Sequence, residues 1–194
     1  MILKMHLGKG LKFSKNIILA SNSPRRAEIL HDLGINFEKK VIPTEEKTKA
    51  IEPRKMVLDI AYKKGIEVYK ENKNSIVISA DTIVYKDKVY TKPRDGEDAF
   101  RILKELSGRW HKVYTGVWIF SDKKTISFTK CSRVKLKRMN TKMIDEYIEK
   151  YQPLDKAGSY GIQDGAVVEK YIGSYTNIVG LPKEKLAKMI KLAD

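Results

Sequence analysis

Ile17 to Leu30 is the stretch that most narrows what this chain can fold into. Within fourteen residues it joins an apolar run, a turn of small residues and two adjacent arginines at the start of a helix. Ile17, Ile18 and Leu19 suit a buried strand, Ser23 suits an N-cap, and Pro24 fits the first helical turn. Ile29, Leu30 and Leu33 then share one helical face before Gly34 stops it. A strand therefore runs straight into a helix N-terminus, where backbone N–H groups lack partners and the helix dipole is positive. Arg25 and Arg26 add two forked donors to that end, so the element is shaped for a polyanion such as a phosphate chain.

At 194 residues the chain is long enough to bury a real core without a covalent staple. Cys131 is its single cysteine, which excludes an intrachain disulfide and points to an intracellular protein. The first thirteen residues lack the apolar stretch and small-residue cleavage site of a leader, and no later segment approaches a membrane span. The expectation is a cytoplasmic protein without a membrane partner. Thirty-nine Lys and Arg against 24 Asp and Glu give +15, which draws any anion. Much of that excess, as in the run Lys123, Lys124, Lys130, Arg133, Lys135, Lys137 and Arg138, is explained by solvated strand faces and protection of a sheet edge.

Along the chain, a short strand is expected over Asn36 to Ile42, then a polar loop from Pro43 to Pro53 that carries Glu45 and Glu46. Pro53 starts a long helix with Val57, Ile60, Ala61 and Val68 on its apolar face. Lys64 falls on the same face; either its stem packs while the ammonium snorkels to water, or the head emerges at the polyanion site. Ser75 to Ala80 reads as a second buried strand, with Asp81 and Thr82 standing where it would end. A hairpin about Lys86 to Lys88 follows, then Lys92 and Pro93, and a helix capped by Asp95 and stopped by Gly108. Val113 to Phe120 and Thr125 to Leu136 look like a strand pair, and Ile144, Tyr147, Ile148 and Tyr151 mark another amphipathic helix. Five of the twelve glycines lie from Gly158 to Gly180, where backbone could come close to a ligand or simply turn tightly. Pro182 opens a C-terminal helix. Interleaved strands and helices with clear hairpins imply an α/β fold whose sheet is mixed and flanked by helices.

Arg25, Arg26, Lys64 and Lys92 are the candidate cations, and Glu46 and Asp81 the candidate carboxylates. A nucleoside triphosphate needs both: cations to neutralise phosphates, and a carboxylate pair to hold a divalent cation such as Mg²⁺ and to orient or deprotonate a water. Hydrolysis fits this set better than group transfer. A phosphate-cradling GxxxxGK[ST] loop, a dinucleotide glycine fingerprint, CxxC and HExxH are all missing, and His6, His31 and His111 read as structural or surface residues.

These residues give the chain a strong resemblance to the Maf family of nucleoside triphosphate pyrophosphatases. It rests on Ser21, Asn22, Ser23, Pro24, Arg25 and Arg26 after the first strand; Glu45 and Glu46; Ala80 to Thr82; Lys92 and Pro93; and Leu106 to Gly108. Thr115 to Val117, Asp155 to Gln163 and Val179 to Pro182 complete it, and the order and spacing of the set are specific where each alone is weak. The resemblance implies a twisted mixed sheet in two lobes with a central cleft, as in inosine triphosphatase-like folds, and commonly a homodimer. It implies cleavage between the α and β phosphates to a nucleoside monophosphate and pyrophosphate, with a divalent metal, Mg²⁺ or Mn²⁺, as cofactor. Carried over, Asp81 is the catalytic proton acceptor and Glu46 the second carboxylate, the two holding the metal. Lys64, Lys92 and Arg26 are the matched cations, with Ser21 and Ser23 in the substrate-binding signature. Arg25, Thr82 and Gln163 match the branch that prefers dTTP and UTP, and a side-chain amide at Gln163 can pair donor and acceptor with a pyrimidine edge.

The chain departs from the pattern in residues 1–16, an extension with Lys4, Lys9, Lys12 and Lys15 and no acid ahead of a single catalytic domain over 17–194. Arg133 also stands where members often carry an acidic residue. The charge leaves two rivals, a basic nucleic-acid-binding protein and a division regulator acting by contact. The first lacks a recognisable nucleic-acid motif and leaves Glu46 and Asp81 unexplained.

Overall fold

The computed structural model describes residues 11–194. Seven strands form one sheet: β1 (Ile17–Leu19), β2 (Glu38–Lys39), β3 (Ile76–Tyr85), β4 (Val89–Tyr90), β5 (Trp110–Phe120), β6 (Ile126–Leu136) and β7 (Val168–Ile172). Their order is β2-β1-β3-β5-β6-β7, with β4 on the free part of β3. β1 lies parallel to both β2 and β3, and the remaining pairs are antiparallel, so the sheet is mixed as expected. Six helices flank it: α1 (Pro24–Asp32), α2 (Pro53–Glu71), α3 (Gly96–Leu106), α4 (Thr141–Tyr151), α5 (Tyr175–Val179) and α6 (Lys183–Met189).

Alternation along the strands sorts the core. Ile18, Val77 and Phe120 face α2, where they meet Val68. On the opposite face the apolar core divides in two. One cluster joins Leu19, Ile78 and Ile119 to Leu30 of α1 and Leu186 of α6. The other joins Val84, Val113 and Val134 to Leu103 of α3 and Tyr147 of α4. Between these clusters, main-chain pairing leaves a gap. β1 pairs with β3 only as far as Ile78, and β4 takes up the same edge only from Val84. The intervening edge of β3 opens onto a cleft.

Two expectations change here. The second strand does not end at Asp81 and Thr82; β3 runs through both to Tyr85. β5 supplies a continuous ladder from Val77 to Tyr85, and that pairing outweighs the weak strand preference of an aspartate. The strand expected over Asn36 to Ile42 shrinks to the two residues of β2, an edge strand with a partner on one side only. The starts and stops of α1 and α3 follow their local signals, with the Asp95 side chain accepting the Asp98 N–H at 2.8 Å. Lys4, His6 and Lys9 lie outside the described residues. Leu11 and Phe13 pack on the α1–α6 cluster, and the Ser14 N–H and hydroxyl both donate to Asp194. No helix among the described residues is long and apolar enough to cross a membrane.

Candidate active site

The cleft at the open edge of β3 encloses about 460 Å³, within the range of small-molecule sites. All ten residues singled out in the sequence line it: Ser21, Ser23, Arg25, Arg26, Glu46, Lys64, Asp81, Thr82, Lys92 and Gln163. They arrive from the turn between β1 and α1, the first turn of α1, the loop before α2, α2 itself, β3, the segment after β4 and the turns before β7.

Arg26 occupies the centre of the α1 side and is only 9% exposed. Its Nε donates to the Gly180 carbonyl at 3.0 Å, Nη1 to Ser21 Oγ at 3.0 Å and Nη2 to Thr82 Oγ1 at 3.3 Å. All three acceptors are neutral. Burial lowers the guanidinium pKa, opposed chiefly by the charge of Asp81. A buried cation with no carboxylate in contact among the described residues, and with donors to spare, is a strong site for an anion. Thr82 Oγ1 also shares a 2.9 Å hydrogen bond with Thr115, whose hydroxyl donates in turn to the Asn177 carbonyl at 3.0 Å. The Ser23 side chain makes no cap hydrogen bond; instead its N–H donates to Ser21 Oγ at 3.2 Å, tightening the turn.

Across the sheet, α2 brings Lys64 to the carboxylates. Its Nζ lies 2.7 Å from Asp81 Oδ1 and 3.0 Å from Glu46 Oε1. The head thus emerges at the site while the stem lies along the apolar face. Burial opposes ionisation of Glu46, but the Lys64 hydrogen bond and the charges of Lys64, Lys92 and Arg26 hold its carboxyl below the usual range. Two side chains of the sheet fix the helix: Ser79 Oγ donates to the Ala61 carbonyl at 2.7 Å and Trp118 Nε1 to the Leu58 carbonyl at 2.9 Å. Gly65 on the helix and Gly116 on β5 leave no room for a methyl group, so helix and sheet backbone meet closely beside Asp81, which pairs with Gly116.

On the far wall stand Asp155 and Lys156, which open the Asp155 to Gln163 stretch and whose roles depend on contacts distant in sequence. Asp155 accepts from both terminal nitrogens of Arg25, one at the carboxylate and one at the carbonyl, and Lys156 Nζ lies 3.1 Å from the same carboxylate. Gly180 acts through its carbonyl, which carries no side-chain signature. Five cations, Arg25, Arg26, Lys64, Lys92 and Lys156, and three carboxylates, Glu46, Asp81 and Asp155, line the cleft, an excess of two positive charges. His111 is not part of the set: it is buried, with Nε2 2.7 Å from the Tyr160 hydroxyl. Cys131 is a free, half-buried thiol.

Residues 16–193 match the family model for Maf-like proteins. The chain belongs to the Maf family. Curated relatives of this Maf chain carry the name dTTP/UTP pyrophosphatase. One from Thermosipho africanus is 45% identical over 175 residues, covering 88% of this chain and 89% of its own. One from Clostridium perfringens is 44% identical over 186 residues, covering 92% and 97%. A third, from Acetivibrio thermocellus, is 39% identical over 187 residues, covering 90% and 94%. Among solved structures, the Staphylococcus aureus Ham1 protein overlaps the Maf chain at a TM-score of 0.46 and 15% identity. It covers 63% of this chain and 72% of its own, an overlap too loose to bear on function.

Proposed function

We propose that this Maf chain hydrolyses pyrimidine nucleoside triphosphates, dTTP and UTP, to the nucleoside monophosphate and pyrophosphate. The observation that carries the reading is the pairing, in one cleft, of a buried Arg26 whose acceptors among the described residues are all neutral with an Asp81–Lys64–Glu46 cluster on the opposite side. The first suits a phosphate chain and the second suits the handling of a water. The names of the relatives support the choice of nucleotide.

In the proposed reaction a water oxygen attacks the α phosphorus. The bond from that phosphorus to the α–β bridging oxygen breaks, pyrophosphate leaves with its electron pair, and Asp81 accepts the water proton. Lys64 holds the Asp81 carboxylate in place and keeps Glu46 ionised. Arg26 and the α1 N-terminus take the phosphates, Lys92 and Lys156 add positive charge to the cleft lining, and all of these act most strongly as negative charge moves onto the leaving group. Two carboxylates already gathered on one ammonium are hard oxygen donors suited to a Mg²⁺ or Mn²⁺ ion, which commonly takes one or two carboxylates together with substrate phosphate. Glu46 and Asp81 would hold it; when bound, such an ion supplies charge neutralisation and a more acidic water.

Base choice falls to Arg25, Thr82 and Gln163. Thr82 acts through its hold on Arg26, Arg25 is aimed by Asp155, and the Gln163 amide, exposed in the cleft, has no side-chain hydrogen-bond partner among the described residues. The two core clusters beside the cleft support reading 17–194 as one catalytic domain of two lobes, with 1–16 as its extension. A homodimer working in the cytoplasm completes the proposal, supported by the family resemblance and the single cysteine.

Product analysis with dTTP, UTP, CTP and GTP tests the reading. Pyrophosphate is the expected direct product, and Asp81→Asn is expected to lower kcat by about 10²- to 10⁴-fold, the usual worth of a positioned base. Orthophosphate as the direct product, or an active Asp81→Asn, would refute it.

A further inference from the structure

The wall opposite α1 contains three one-turn 3₁₀ segments, Pro153–Asp155, Ala157–Ser159 and Ile162–Asp164. Turns this short supply few hydrogen bonds of their own, so whatever fixes their geometry must come from outside. The third carries Gln163. Its neighbour Ile162 is buried, and Gln163 itself is exposed to the cleft.

For the third turn, the main outside hydrogen-bonding group is a phenol. Tyr147 on α4 is buried, and its hydroxyl donates to Asp164 Oδ2 at 2.5 Å while accepting the Gly161 N–H at 3.0 Å. One oxygen therefore closes a bracket around Ile162 and Gln163, holding the residue before them by its main chain and the residue after them by its side chain. Gly161 is part of the same device. A Cβ there would lie 2.8 to 2.9 Å from the Asp164 carboxylate oxygens, so only a glycine lets the carboxylate fold over the turn. Burial, with the Asp164 hydrogen bond, raises the Tyr147 pKa, so the phenol stays a donor. A second aromatic secures the turn's start: Tyr160 is buried in the α3–α4 cluster with its hydroxyl on His111.

We infer that Tyr147 and Asp164 are positioning residues for base selection, fixing the turn that presents Gln163 to the pyrimidine edge; this rests on the nucleotide reading proposed above. Neither touches substrate. A side-chain amide discriminates bases only when its donor and acceptor are held in register, and the bracket reinforces the two 3.3 Å main-chain hydrogen bonds, Asp164 N–H to Gly161 and Gly165 N–H to Ile162, that span Gln163.

The test compares kcat and KM for UTP and CTP in the full chain, for the wild type, Tyr147→Phe, Asp164→Ala, Asp164→Asn, Gln163→Ala and Tyr147→Phe/Gln163→Ala. Tyr147→Phe and Asp164→Ala are expected to raise KM for UTP and reduce UTP-over-CTP preference in kcat/KM by about ten-fold, the worth of one charge-assisted hydrogen bond. Their kcat on UTP should stay within about two-fold. Asp164→Asn keeps an acceptor for the phenol and should recover most of the preference. Because both groups act through Gln163, adding Tyr147→Phe to Gln163→Ala should cost no further preference. A preference unchanged in Tyr147→Phe and Asp164→Ala, alongside a loss in Gln163→Ala, overturns the bracket and leaves the nucleotide reading intact. Additive losses in the double variant, or equal losses in kcat and preference, also overturn it, since these mark a merely structural role. Unchanged preference in Gln163→Ala overturns the role of Gln163 and the inference with it while leaving UTP hydrolysis standing, whereas no hydrolysis of UTP by the wild type overturns the nucleotide reading itself.

Discussion

Gly116→Ala probes the link between helix packing and chemistry, because this glycine lies under α2 and opposite Asp81 in the ladder. A methyl group there would meet the Val57 carbonyl carbon and oxygen at 2.7 Å and the Leu58 nitrogen at 2.9 Å. Those are main-chain atoms that no rotamer change can move aside. Restoring an ordinary contact of 3.4 Å obliges the helix backbone to retreat by about 0.7 Å. Overpacking of this kind costs about 1–3 kcal/mol, and weakening the Trp118–Leu58 and Ser79–Ala61 hydrogen bonds adds about 1 kcal/mol. The stiffer unfolded chain returns about 0.5 kcal/mol. A net loss of about 2–3 kcal/mol lowers Tm by roughly 5–10 °C in a chain of this size. The same retreat stretches the 2.7 Å Lys64–Asp81 contact, and misplacement approaching 1 Å lowers turnover by about 10- to 100-fold. Thermal unfolding by circular dichroism and steady-state kinetics on UTP read both quantities. Gly96→Ala is the control: open space surrounds that position in the first turn of α3, so stability should hold or rise slightly. A Gly116→Ala protein with wild-type Tm and kcat would show that the close approach is not needed. A lowered Tm with unchanged kcat would refute the coupling of the helix seat to the carboxylate cluster.

Arg26→Lys keeps the charge but cannot span the Gly180 carbonyl, Ser21 and Thr82 at once; kcat/KM for UTP should fall on the order of 10²-fold, checked by initial rates, while Arg25→Lys should do less. Stability should also depend on pH through His111, whose imidazole burial pushes from 6.5 down to about 4. Its folded pKa lies below the unfolded one, so the unfolded state takes the proton first. Stability is full above about pH 6.5 and falls by up to about 3 kcal/mol as pH drops toward 4. Urea midpoints measured across that window should fall less steeply in His111→Gln.

Much of the scaffold was legible because its causes are local. Pro24 and Gly34 bound α1, Asp95 caps α3, and the apolar faces of α2 and α4 follow helical spacing. The run of β3 past Asp81 was not legible, since only the β5 ladder, about thirty-five residues away in sequence, makes a strand of Asp81 and Thr82. The two-residue β2 is the converse case, where a strand-like segment found a partner on one edge alone. Among site residues, Arg26 and Asp81 were named from their motif, yet their chemistry differs in kind once partners are known: one touches neutral acceptors, the other an ammonium. Asp155 was visible in the sequence but had no role until Arg25 was found on it.

By itself, the sequence from Ile17 to Gly34 determined a buried strand feeding a cationic helix mouth, because periodicity, Pro24 and Gly34 act within a few residues of one another. Tertiary structure alone decided that Arg26 ends on a carbonyl 154 residues away, that Arg25 is restrained by Asp155, and that Lys64 sits between Glu46 and Asp81. The reason is physical: a main-chain acceptor looks the same at every residue, and which charges share a cleft depends on how the chain crosses the sheet.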